Sequence, residues 1–251
     1  MGAERVGDRL FVALPRRRYG IPATLNYIDL RDTSRSPALR PYPSLRASRS
    51  LVSTPAIVVF DLRTDRQIMR YELKEADVPA NNTPTDAFAY IPDLTTFGIV
   101  VYSLRDNDSW RVTHNYLHFN PSAVNLHISA LAPGSGCRTA YFHPLISTQE
   151  FSVSTCTLNN RTAHLDPDYW TRYSIVGERG SNSQSTMHDL HSSGVMFYAD
   201  IGADGVACWN TRRPLDSATF SMLASDQKLM SYPADLHVTG DEVWVIFNTL
   251  P

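Results

Sequence analysis

Histidine is the side chain here best suited to chemistry near neutral pH, and the chain has eight of them. Two pairs carry a suggestive spacing: His114 and His118 stand four apart, and His188 and His191 three apart. Either spacing brings two imidazoles onto one metal ion only when the segment is helical. Both pairs lie in strand or turn sequence, so no metal site and no cofactor are expected. A lone imidazole can still act as a general acid or base in moving a proton, and His143 and His188 are the candidates. No Ser–His–Asp constellation is visible. Cys137, Cys156 and Cys208 make no CxxC or other metal spacing, which leaves one disulfide plus a thiol, or no disulfide, both open. Three N-x-S/T sequons, at Asn81, Asn107 and Asn160, fall in turn sequence where a glycan is tolerated. They favour a secretory history, although Met1–Arg5 opens no apolar signal region and Val6 stands where a myristoylation motif needs Ser or Thr.

Positioning such groups requires a scaffold, and the chain spells a β scaffold throughout. Its 251 residues are 43% hydrophobic and 19% charged, an ordinary globular composition. The formal charge of −2 gives no reason to expect a nucleic acid partner, and no apolar run is long enough to predict a membrane helix. The stretch Gly177–Leu215 sets the grammar: a polar loop, then Ser185–Asp189, a turn, Val195–Tyr198, a second turn and Val206–Trp209. Short alternating or apolar runs joined by Gly, Asp and Ser read as a β-meander. Further strands are expected at Arg9–Leu14, Thr24–Leu30, Ala56–Leu62, Gln67–Leu73, Asp86–Ile91, Gly98–Leu104 and Ser109–Thr113. Others follow at Val124–Leu131, Thr139–His143, Phe151–Thr157, Ser174–Val176 and within Asp235–Phe247. The only helix expected is Ser217–Ser225. Residues 31–53, rich in Arg, Ser and Pro, read as a loop or linker. The meander recurs at about forty to fifty residues, the period of propeller blades. One all-β domain spanning residues 1–251 is therefore expected, a β-propeller, with a β-sandwich as the alternative on local signals.

Several long strings carry a resemblance. They are PATLNYI at Pro22–Ile28, PAIVVFDLRTD from Pro55, FGIVVYSLRDNDSWRVTH at Phe97–His114 and YFHPLISTQEFSVST at Tyr141–Thr155. ERGSNSQS at Glu178–Ser185, GVMFYADIGADGVACWNTRRPL at Gly194–Leu215 and PADLHVTGDEVWVIFNTLP at the end continue the series. In that order they resemble the Yellow / major royal jelly protein family. The resemblance implies a six-bladed propeller, usually extracellular, here shortened. A cysteine-bearing family strand that follows PYP is missing, and Cys208 is accordingly expected to be unpaired. The family implies a protein that binds small aromatic amines or catechol-type melanin precursors in the propeller channel. The alternatives are a dopachrome-converting isomerase and a structural or storage protein.

Channel candidates follow from the resemblance and from strand position. Asn248 matches a family strand end, where its amide either holds a ligand or caps the strand. Thr186 and His188 fall on a presumed inner strand. Phe88 and Tyr90 suit an aromatic amine by stacking, or else pack the blade. Asp235 either pairs with a ligand ammonium or fixes the opening turn of its blade.

Overall fold

The computed structural model describes residues 2–13, 23–43, 56–72, 88–93, 97–118, 124–131 and 136–247. Strands dominate, and each pairs antiparallel with its neighbour in sequence. Among the described residues, six sheets follow one another along the chain. The first holds β1 (Gly2–Val6), β2 (Arg9–Ala13), β3 (Leu25–Asp29) and β4 (Arg40–Pro41). The second holds β5 (Ala56–Asp61) and β6 (Arg66–Glu72), and the third β7 (Phe88–Asp93), β8 (Gly98–Ser103) and β9 (Asp108–Val112). The fourth holds β10 (Val124–Leu131), β11 (Arg138–Pro144), β12 (Gln149–Ser154) and β13 (Tyr173–Glu178). The fifth holds β14 (Ser185–Leu190), β15 (Val195–Asp200), β16 (Gly205–Asn210) and β17 (Ser221–Ser225), and the sixth β18 (Pro233–Thr239) and β19 (Glu242–Phe247). These are propeller blades, three of them with fewer than four strands among the described residues. No described helix is long and apolar enough to cross a membrane.

Blade order is set by the first strand of each sheet. β7 lies against β10, β10 against β14, β14 against β18, and β18 against β1, so these strands form the inner ring. The first and second blades are joined by Arg9 Nη1 and Tyr42 Oη on Asp65 Oδ1, at 2.8 and 3.0 Å. Tyr42 lies within the stretch read as a loop, yet it is fully buried, edge-on to Phe60 and Phe11.

The hydrophobic core lies between blades rather than inside a barrel. A meander is apolar on both faces, and stacking the next blade removes each face from water. Between the third and fourth blades, Ile99, Val101, Trp110, Phe142, Phe151 and Tyr173 form one cluster. Met196, Tyr198, Trp209 and Leu215 form a second, and Ala199, Val206 and Leu236 a third. Three hairpin turns share one device. Asp65, Asn107 and Asp204, at φ 55°, 47° and 47°, each end a four-residue turn in the left-handed region. Asn and Asp tolerate that conformation better than other non-glycine residues.

Four points differ from expectation. Ser217–Ser225 is not a helix: Asp216 Oδ1 accepts from the amides of Ala218 and Thr219, closing a turn, and Ser221–Ser225 pairs with β16. That strand is exposed along its whole length, so no apolar alternation marks it. The strand expected at Phe151–Thr157 ends at Ser154, whose hydroxyl caps the amide of Cys156 and starts the short helix α1 (Thr155–Asn159). β1 was not anticipated, and β7 runs past the expected end at Ile91 through Pro92 and Asp93. A disulfide joins Cys137 to Cys156, and Cys208 is a free thiol on β16 whose pKa is raised by burial.

Candidate functional site

β14 is the strand from which the polar interior is organised, because it sits in the inner ring between β10 and β18. Successive residues of a strand point to opposite faces. His188 turns towards the fourth blade and Asp189 towards the sixth, and each anchors a separate charged network.

The first network is fully enclosed. His188 Nδ1 lies 2.9 Å from His143 Nδ1 on β11, and His143 Nδ1 lies 2.8 Å from Glu150 Oε2 on β12. Arg179, in the loop between β13 and β14, places Nη1 2.8 Å from the same Glu150 oxygen. Its other nitrogens donate to the carbonyls of Ser147 and Ser183, at 2.7 and 3.1 Å, and its guanidinium stacks 5.0 Å over the Tyr198 ring. The side chains of His143, Glu150, Arg179 and His188 have no solvent exposure. Burial pushes Glu150 up and is opposed there by His188 and Arg179. Burial, aided by the Arg179 charge, holds His143 well below the ordinary imidazole range. Burial likewise lifts Tyr198 well above the ordinary phenol range.

The second network reaches solvent. Asp189 Oδ2 accepts from the amide of Val238 at 2.7 Å and from His237 Nδ1 at 2.9 Å. His237, on β18, turns Nε2 to Glu4 Oε1 of β1 at 3.0 Å. Two residues earlier, Asp235 Oδ2 accepts from the amide of Ala3 at 2.6 Å. Three blades therefore meet on one imidazole. Hydrogen bonds to Asp189 and Glu4 raise the His237 pKa to about 10, so the ring is an imidazolium at neutral pH. Its side chain is 27% exposed and that of Glu4 55%, while Asp189 is buried at 4%. An acid whose proton is held in place, a carboxylate beside it and access from solvent together suit proton transfer or the binding of a cation.

Residues 46–251 match the family described as Major royal jelly protein. The chain belongs to that family. L-dopachrome tautomerase yellow-f of Drosophila melanogaster is 32% identical over all of this chain and 74% of its own length. Protein yellow of Drosophila subobscura is 31% identical, with all of this chain covering 56% of it, so the chain spans little more than half of that relative. Dopaminechrome tautomerase of Drosophila melanogaster is 28% identical, with 70% of its length covered. The alignment with yellow-f runs over 318 residues against 251 here, so the relative carries segments that this chain lacks. Virginiamycin B lyase from Staphylococcus aureus superposes with a TM-score of 0.51 at 10% identity, over 98% of this chain and 90% of that one. A streptogramin B lyase gives a TM-score of 0.50 at 12% identity, over 88% and 68%. At such identities these two speak for the fold alone.

In this royal jelly family member the residues singled out from sequence are dispersed. Asn248 and Asn81 lie outside the described residues. Phe88 and Tyr90 belong to the packing of the third blade on the fourth: Phe88 meets Trp110 edge-on at 6.1 Å, and Tyr90 donates to Asn159 Oδ1 at 2.5 Å. Thr186 and His188 share strand parity, yet a register irregularity between Ser185 and His188 separates them. Thr186 Oγ1 reaches the carbonyl of Pro233 in the sixth blade, while His188 faces the fourth. Asp235 sits beside the exposed imidazolium and also fixes β1, so it serves the blade junction. His114 is a packing residue, stacked at 4.0 Å on Tyr173 with Nε2 against the Trp170 carbonyl. Glu4, Asp189 and His237 were missed. The one signal available was a His and an Asp on strands that alternate, and nothing local joins them to Glu4.

Proposed function

We propose that this chain is a secreted tautomerase acting on aminochromes, the cyclised catechol quinones of melanin formation. The observation that carries the reading is the solvent-reachable Asp189–His237–Glu4 array, whose imidazole keeps its proton to about pH 10. Tautomerising a quinone removes a proton from a ring carbon and adds one to a quinone oxygen, with no net change of atoms. Glu4 supplies the base, His237 the acid, and Asp189 holds the ring in place. The relatives named L-dopachrome tautomerase and dopaminechrome tautomerase support this reading. The test is the decay of freshly prepared dopaminechrome and L-dopachrome, followed by absorbance. Purified chain is expected to accelerate at least one of them above the spontaneous rate in proportion to its concentration. Decay at the spontaneous rate from a chain that melts cooperatively removes the proposal.

A second reading, reversible binding of a small aromatic amine, is favoured by charge. The carboxylates of Glu4 and Asp189 outnumber the single imidazolium between them. Calorimetric titration with dopamine and serotonin separates the two: a one-to-one isotherm without turnover selects the binder.

For secretion, Asn160 is the sequon placed to accept a glycan. Asn160 is exposed, and its Oδ1 accepts from the amide and hydroxyl of Thr162, both at 3.0 Å. At Asn107 the Ser109 of the sequon is buried in β9 and Asn107 Oδ1 is taken by the Tyr102 hydroxyl. Peptide mapping of chain secreted from insect cells is expected to find glycan at Asn160 and none at Asn107. Occupancy of Asn107 alone sinks the assignment.

A further inference from the structure

The enclosed network gathers two imidazoles and a carboxylate from neighbouring blades. His143 Nε2 lies 3.2 Å from the carbonyl oxygen of Ser185, which can only accept, so Nε2 carries the hydrogen. In the neutral ring Nδ1 then presents a bare lone pair. That lone pair faces Glu150 Oε2 at 2.8 Å and His188 Nδ1 at 2.9 Å. The other carboxylate oxygen, Glu150 Oε1, is buried, accepts no hydrogen bond among the described residues, and lies 3.5 Å from His188 Nδ1. Candidate ligand atoms from three strands thus converge, all within 4.8 Å of one another.

We propose that His143, Glu150 and His188 bind a divalent transition-metal cation, zinc by donor type, between the fourth and fifth blades. Two imidazoles and a carboxylate are a zinc donor set. Bonds of about 2.0–2.1 Å to a tetrahedral ion place neighbouring ligand atoms roughly 3.3 Å apart. Here His188 Nδ1 lies 2.9 Å from His143 Nδ1 and 3.5 Å from Glu150 Oε1. The bond from His143 Nε2 to the Ser185 carbonyl is the outer contact that fixes the tautomer of a ligating imidazole and turns its other nitrogen to the ion. Arg179 occupies Glu150 Oε2 and leaves Oε1 for the ion. Bound there, the ion ties β11 and β12 of one blade to β14 of the next. The site is independent of the tautomerase reading, since its residues do not touch the His237 array.

The experiment uses the full chain, stripped with a chelator, dialysed and titrated with Co²⁺ and with Zn²⁺, each alone. One Co²⁺ per chain is expected, with the strong visible absorption of a tetrahedral site, displaced by one equivalent of Zn²⁺. His188→Ala is expected to weaken binding at least tenfold, and His191→Ala, outside the cluster, to leave it unchanged. His188→Cys is expected to restore binding with a thiolate charge-transfer band. If His188→Ala does not fold, the wild-type spectrum and the Cys variant decide. A cooperatively melting wild type with no visible Co²⁺ band, or one that keeps its stoichiometry in folded His188→Ala, overturns the proposal.

Discussion

Replacing Arg179 with Leu is expected to cost the chain about 3–5 kcal/mol of stability, enough to unfold many domains of this kind. The guanidinium is wholly enclosed and satisfies Glu150 Oε2 and the carbonyls of Ser147 and Ser183. Leucine leaves all three acceptors buried without a donor, and it leaves the Glu150 carboxylate without its guanidinium partner. The carboxyl answers by taking a proton, because burial already raises its pKa and Arg179 is one of the groups that oppose the rise. The sign of the pH dependence follows. A carboxyl whose folded pKa lies above its unfolded value favours folding at low pH and loses that contribution as pH rises through the folded pKa. The defect of Arg179→Leu is therefore expected to be smallest near pH 5 and to grow towards pH 8, read by urea denaturation at both. A double variant, Arg179→Leu with Glu150→Leu, is expected to recover part of the loss, since apolar groups then replace both charges. A single-variant cost below 1 kcal/mol, unchanged with pH, contradicts this account of the network.

How much of this was readable follows from what each residue depends on. Strand positions were legible because alternation and turn chemistry are local: AIVVFD and GIVVYS became β5 and β8, with Asp65 and Asn107 at the turns that follow. Recurrence of the meander pointed to propeller blades, and their number, six, came only from the family resemblance. β17 was illegible because an exposed edge strand buries nothing and so need not alternate. Glu150 and Arg179 carry no local signal of burial, one on β12 and one in a polar loop, and both are enclosed. Each is tolerated there only because the other is present, and that condition is set by how the blades stack. His143 and His188 were named as acid–base candidates, but their meeting at 2.9 Å joins residues 45 apart. The spacings that invited a metal reading fail locally: His188 and His191 lie on a strand and the turn after it, and His114 and His118 only flank a single 3-10 turn, Asn115–Leu117. The ring of inner strands supplies the proximity that periodicity along one segment does not.

The same ring makes His237 the residue whose loss is expected to reduce activity most. His237→Gln keeps a side chain of similar reach and hydrogen-bonding capacity but carries no transferable proton, and aminochrome turnover is expected to fall about 10²- to 10⁴-fold. The charges that face the imidazole are Asp189 from β14, Glu4 from β1 and Asp235 from its own strand, all acidic. Of these, Asp189 and Glu4 hold the folded-state pKa at about 10 against 6.5 for the free side chain. A histidine raised in this way stabilises the fold fully below about pH 6.5, and the contribution is lost as pH climbs from there through about 10. Wild-type stability is therefore expected to decline from pH 6.5 to 10 more steeply than that of His237→Gln, and the difference between the slopes isolates this one group. The solvent exposure of the ring reduces the size of that difference without changing its sign. Over the same interval the acid form required for catalysis persists, so kcat is expected to hold through neutral pH and to drop only as pH approaches 10. Equal slopes in the two proteins would show that β18 is not clasped to β14 and β1 through a charged imidazole. A variant that melts like wild type at pH 7 and retains full turnover would leave the clasp intact and remove His237 from the chemistry.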